Sequence, residues 1–143
     1  MTILDIKTVL RAARDARKEI VELDERIEEA QEKLYRCTSQ IRTDGADKTT
    51  GSGKEDMYIN TIEYKHLIEN YRDKRYKELN EAMELIGLLS EGRLVRMMMF
   101  YYIDGLTWEK TAEKINMSEY WVRTQLHSKA LKEIQRQTEK APC

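Results

Sequence analysis

The chain has 143 residues, a net charge of -1, 36% charged and 41% hydrophobic residues, and one proline, Pro142. That length suits one ordinary domain or two small helical modules, and the charge-rich mix suits solvated helices better than a thick core. The near-neutral balance excludes a strong overall field toward nucleic acid. Nothing in the chain approaches the ~20 consecutive apolar residues of a membrane span. The two cysteines, Cys37 and Cys143, have no metal-type spacing. With no signal-peptide pattern at the start, these features predict a cytoplasmic protein of a reducing compartment.

The charge is unevenly placed. Residues 1–42 hold nine Lys/Arg and nine Asp/Glu; residues 43–90 hold seven against ten; residues 91–143 hold nine against seven. The last third is therefore the better candidate for a polyanion partner, although the bias is mild.

In chain order, Leu4 to Arg42 carries a heptad. Ile6, Ala13, Ile20, Ile27, Leu34 and Ile41 recur every seven residues, with Val9, Ala16, Leu23, Ala30 and Cys37 three residues later. An apolar stripe at this spacing drives one helix to coil against another. Ala13, Ala16 and Ala30 narrow the stripe and let the partner come close. The stretch TDGADKTTGSGK, residues 43–54, breaks the pattern with glycines and small polar residues, and residues 43–55 are predicted to form a mobile linker loop. Its GSGK ending is not a phosphate loop: Glu55 follows Lys54, Lys48 stands where the first glycine is required, and no apolar strand precedes it.

A second helix is expected from Asp56 to Leu89, with Tyr64, Ile68, Tyr71, Arg75, Leu79, Ala82, Ile86 and Leu89 at helical spacing. It is long enough to fold back antiparallel on the first, with Tyr64 and Tyr71 opposite the alanines. Met57, Ile59, Ile62 and Leu67 add apolar surface outside that stripe, so association with a second copy, as a dimer through the N-terminal helices, is expected.

From Ser90 the texture changes. SEGRLVRMMMFYYIDG predicts a compact apolar helix, capped by Ser90 and closed at Asp104-Gly105 by a left-handed glycine. The methionines Met97, Met98 and Met99 are expected in the core. Thr107 and Ser118 cap two more helices. Between these, Asn116 is placed where the chain must turn through a left-handed conformation, which asparagine tolerates best after glycine. Ala112 lets the helices cross closely, Ile115 and Val122 meet across the turn, and Met117 with Val122 forms a hydrophobic staple. This is the pattern of a helix-turn-helix over Thr107 to Ile134. On the second helix, Tyr120, Thr124 and His127 lie opposite Val122 with Arg123 on the flank. They suit contact with bases or backbone, and Lys110, Lys114, Lys129 and Lys132 suit phosphates. Arg123 has a competing use as an ion-pair partner for Glu119 one turn back. Trp108 and Trp121 are both expected to pack against neighbouring helices. No metal cluster or catalytic constellation is legible, so neither a cofactor nor an enzyme activity is expected.

The segment GRLVRMMMFYYIDGLTWEKTAEKINMSEYWVRTQLHSKAL resembles region 4 of bacterial sigma factors, which reads the -35 promoter element. The shared frame is an apolar helix, the step Asp104-Gly105-Leu106-Thr107, then Glu109, Ala112, Ile115, Ser118, Val122 and Arg123 at the family's spacing. The match spans about 45 residues of the 143. Glu119 and Tyr120 stand where the family often has a basic residue, and Val122 to Ala130-Leu131 is one residue longer than in primary sigma factors. A charged coiled-coil N-terminus on such a domain is similar to phage and prophage regulators of the ArpU type. The resemblance implies a sequence-specific transcription regulator, double-stranded DNA as ligand, RNA polymerase as a further partner, and Tyr120, Arg123, Thr124, His127, Lys110, Ser118 and Lys129 as DNA-contacting residues. The expected architecture is all-α: an arm of residues 1–89, a helical hairpin or coiled coil, followed by a sigma region 4-like helix-turn-helix domain of residues 90–138. Two other readings stay open, a small-terminase-like DNA-packaging subunit and a protein-interaction adaptor without DNA.

Overall fold

The computed structural model describes residues 1–43 and 51–140, with side chains for 1–38 and 56–140. Among the described residues the fold is all-α, without strands. Helix α1 spans Ile3–Thr43 and α2 Gly51–Ile86. A short α3, Gly92–Met98, continues as a π-helical segment, Met99–Ile103. Helix α4 covers Trp108–Lys114. A final helix opens with α5, Glu119–Trp121, widens into a π-helical segment, Val122–Leu126, and ends as α6, His127–Lys140.

The chain divides into two compact units, Met1–Lys18 with Arg75–Cys143, and Glu19–Lys74. The division cuts through both long helices, whereas the sequence suggests a boundary near Leu89. The reason is that the first turns of α1 are built into the C-terminal unit. Arg14 Nη1 donates to the carbonyls of Tyr101 and Leu106, and Arg17 Cγ lies 3.7 Å from where a Cβ on Gly105 would stand. Meeting structure on more than one side, α1 buries a wider arc here than a heptad seam requires. Leu10, outside the heptad, is fully buried, while the heptad residue Val9 is only half-buried. Thr2 and Asp5 start this helix with a capping box: the Asp5 N–H donates to Thr2 Oγ1, and the Thr2 N–H to Asp5 Oδ2, each at 3.1 Å. These bonds hold the Asp5 carboxyl below its usual range.

The core of this first unit is formed by Ile6, Leu10 and Ala13 of α1, Leu79, Ala82 and Ile86 of α2, and the inward residues of the C-terminal helices. Met97 and Met98 are fully buried, as their apolar run implied, with Met99 half-buried. Helix α2 ends at Ile86, three residues before the expected Leu89. The Leu88 and Leu89 N–H groups make tight i→i−3 bonds to Leu85 and Ile86 that close its last carbonyls. Ser90 is not the cap of α3. That position is Glu91, without a side-chain cap bond, and Ser90 instead donates its N–H and hydroxyl to Glu133 Oε1 at 3.2 and 2.9 Å.

The two π-helical segments answer a spacing problem. Val122, Leu126, Ala130 and Ile134 all point inward at strict four-residue intervals. In a plain α-helix such a row drifts by about 40° at each step, so Ile134 would leave the core. One wide turn at 122–126 absorbs the drift. Leu94, Met98 and Tyr102 repeat the same spacing through the Met99–Ile103 segment.

Thr111 of α4 is wholly buried, and its hydroxyl has no hydrogen-bond partner among the described residues. Thr111→Val keeps the shape and removes the unsatisfied group. It is expected to raise stability by about 1 kcal/mol, read as a higher thermal midpoint; a lower midpoint would show that the hydroxyl is satisfied in solution.

In the second unit, α1 and α2 run antiparallel. Arg72 Nη1 lies 2.9 Å from Asp24 Oδ1, and Arg26 Nη1 donates to Tyr64 Oη at 3.3 Å. Ile20, Ile27, Ala30 and Cys37 are buried on α1, and Ile68 on α2. Tyr64 lines a surface pocket together with Ala30, while Tyr64 and Tyr71, 43% and 44% exposed, lie with Met57 and Leu67 along one partly exposed stripe of α2. Residues 44–50 of the expected linker lie outside the described residues. Its end, Gly51 to Glu55, belongs to the first turns of α2, where unbonded N–H groups make glycine and serine inexpensive. No described helix is long and apolar enough to cross a membrane.

Candidate functional site

The candidate site lies on the last two helices of the first unit and is built by three local devices. The first closes the apolar helix. Gly105 takes φ +74°, and the Leu106 N–H reaches back to the Phe100 carbonyl at 3.0 Å. The second is Thr107, extended at φ -71°, ψ 163°, whose hydroxyl accepts from the Lys110 N–H at 3.2 Å and starts α4. The third joins α4 to α5. Asn116 adopts φ 56°, its N–H bonds to Glu113, and the Met117 N–H bonds to the Ala112 carbonyl at 3.0 Å. Ser118 then caps α5 by accepting from the Trp121 N–H at 3.2 Å. Both left-handed positions and both hydroxyl caps fall where the sequence places them. Ala112, Ile115, Val122 and Leu126 are buried, so α4 and the final helix pack through the expected face.

The candidate residues divide by position. Tyr120 is 68% exposed. Arg123 is exposed, with Nη1 3.9 Å from Glu119 Oε1, a long ion pair in solvent that contributes little. Thr124 is half-buried and donates its hydroxyl to the Tyr120 carbonyl at 2.6 Å. Lys110 is exposed on α4. Ser118 is exposed, but its hydroxyl is committed to the cap. Lys129 is exposed, with Nζ 3.2 Å from Glu91 Oε2.

His127 departs from its expected outward place. The π turn rotates it inward, where its Nε2 lies 2.6 Å from Tyr102 Oη and its ring meets Trp108 edge-on at 4.9 Å. Burial first, then the charges of Lys7 and Arg11 on α1, depress its pKa to about 4. Burial likewise raises the Tyr102 phenol far above its normal value. His127 is therefore a neutral packing residue. Trp108 packs as expected, stacked on Tyr101 at 3.7 Å. Trp121 is 48% exposed. Standing in the first turn of α5, it lies outside the inward row that begins at Val122.

Sequence reasoning missed a groove that lies along the outside of the final helix and is lined by Trp121, Gln125, Ser128, Lys129, Lys132 and Arg136, among others. The signal was present: Trp121, Gln125, Lys129, Lys132 and Arg136 recur at three- and four-residue steps. Among the described residues, no group of three or more His, Cys, Asp or Glu is arranged to hold a metal. Neither protein-family models, nor curated proteins, nor solved structures gave a match to this chain.

Proposed function

We propose that this chain is a sequence-specific DNA-binding transcriptional regulator, of the phage or prophage type, whose helix-turn-helix of residues 107–134 sets the final helix into the major groove. The observation that carries the reading is the capped turn at Asn116, beyond which Tyr120 and Arg123 are exposed on the outer face of that helix. Arg123 is the base-reading residue, since guanidinium pairs with guanine edges or phosphates and only a weak solvent pair with Glu119 must be broken. Lys110 and Lys129 serve as phosphate contacts. His127 is left out of the contact set.

The segment 107–134 nets only +1, so affinity from one copy is low and a second copy adds avidity. The exposed stripe of Met57, Tyr64, Leu67 and Tyr71 on α2, at heptad spacing, supports a homodimer through the second unit. RNA polymerase is the further partner proposed for a cytoplasmic regulator of this kind.

Selection from a random duplex pool, followed by mobility shift, tests the proposal. The chain is expected to enrich a defined site, and Arg123→Ala is expected to cost about 1–3 kcal/mol of specific binding. Recovery of no preferred sequence would end the regulator reading. An enriched site bound equally well by Arg123→Ala would show that another face reads the bases.

A further inference from the structure

We propose that the groove along the final helix, from Trp121 through Gln125, Lys129 and Lys132 to Arg136, seats the sugar–phosphate backbone of duplex DNA beside the bases read by the helix's first turns. The inference rests on the DNA reading above and adds a second contact surface to it. Its starting point is length. Arg136 lies thirteen residues beyond Arg123, about 20 Å along a helix at 1.5 Å per residue. The major groove is about 12 Å wide. A helix that reads bases near Arg123 therefore carries Lys132 and Arg136 beyond the groove, to the phosphate ridge.

The chemistry of the groove suits that position. Neither Lys132 nor Arg136 has an ion-pair partner within 4.0 Å among the described residues, and both are exposed. Gln125 and Ser128 supply neutral donors between the cations. Trp121, half exposed at the near end, offers an apolar wall for deoxyribose.

Two carboxylates face this region and set its balance. Glu91 pairs with Lys129 at 3.2 Å. Glu133 lines the groove, but its Oε1 is held by the Ser90 N–H and hydroxyl, which chiefly keep its carboxyl below the usual range. With Lys129 offset by Glu91, Lys132 and Arg136 stand against the ionised Glu133, whose carboxyl the Arg136 charge also helps to hold down, and a net charge of about +1 remains. Arg136 lies outside the weakly charged 107–134 segment, so the groove supplies attraction that segment lacks.

The test uses the full chain, a labelled duplex from the selection above and a scrambled duplex, with affinity measured by anisotropy across a salt series. Lys132→Gln with Arg136→Gln is expected to flatten the plot of log affinity against log salt by about 2, near 0.9 per lost phosphate contact. Binding to both duplexes should fall together, about tenfold or more near 0.1 M salt. Arg136→Lys alone should keep the slope, and circular dichroism should show all variants folded. Addition of DNA should change the tryptophan emission of the wild type, and Trp121→Phe should abolish that change. An unchanged slope in the double variant, with wild-type binding intact, overturns this surface and leaves the DNA reading standing. A wild type that binds no duplex even at low salt overturns both. Binding of poly-glutamate in its place assigns the groove to an acidic protein partner and also overturns the proposal.

Discussion

Arg14→Ala is expected to lower the stability of the C-terminal unit by about 3 kcal/mol, a drop of roughly 12–20 °C in its melting temperature. Arg14 ties the start of α1 to the end of the apolar helix through a single guanidinium nitrogen that donates to the Tyr101 and Leu106 carbonyls, the latter at 2.7 Å. Those carbonyls lie where the helix finishes and its own amides can no longer reach them. A cation at that end also opposes the negative pole of the helix. The same guanidinium sits 4.0 Å over the Tyr101 ring, which stacks in turn on Trp108. Alanine therefore removes two charge-assisted bonds and uncovers one face of an aromatic pile. Lysine restores a point charge without the planar fork, so Arg14→Lys should recover less than half of the loss. Trp108 fluorescence during thermal melting reports on this unit; a shift of less than about 2 °C for Arg14→Ala would show that these contacts contribute nothing in water.

Acid should loosen the same unit through His127. Its pKa is depressed to about 4 in the folded protein, against 6.5 for the free side chain. Above pH 6.5 both folded and unfolded chains hold the ring neutral, and stability is at its full value. As pH falls from 6.5 toward 4, the unfolded chain binds a proton that the folded one refuses, so stability declines across that window and levels off below it. The decline amounts to roughly 3 kcal/mol at most, because each tenfold difference in proton affinity between the two states is worth about 1.4 kcal/mol. Protonation would place a cation beside Lys7 and Arg11 and oblige Nε2 to donate to Tyr102 Oη. Denaturant titrations at about pH 7 and about pH 4.5, on either side of most of that window, measure the effect. His127→Gln, which cannot titrate, should lose most of the pH dependence in this window even though it starts less stable. A variant that keeps the full acid loss would place the titrating group elsewhere.

The two effects converge on one cluster, in which Arg14, Tyr101, Trp108, His127 and Tyr102 join α1 to the helix that carries Tyr120 and Arg123. Damage to either end is thus expected to disturb the placement of that helix, and through it the proposed DNA binding.

Much of this molecule was legible in the residues themselves, because local geometry has local causes. The heptad of α1, the caps at Thr107 and Ser118, and the left-handed turns at Gly105 and Asn116 each follow from a few neighbouring residues and their torsional preferences. What the sequence could not decide by itself was phase and burial between distant segments. The wide turn at Val122–Leu126 exists because four inward residues must meet one core, and it moves His127 inward. Leu10 is buried, and the first eighteen residues join the C-terminal unit, because the partners of α1 there come from residues some ninety positions away. The outward face of the last helix is therefore a joint product: its residue types come from the sequence, and which of them face outward is set by how its inner row packs.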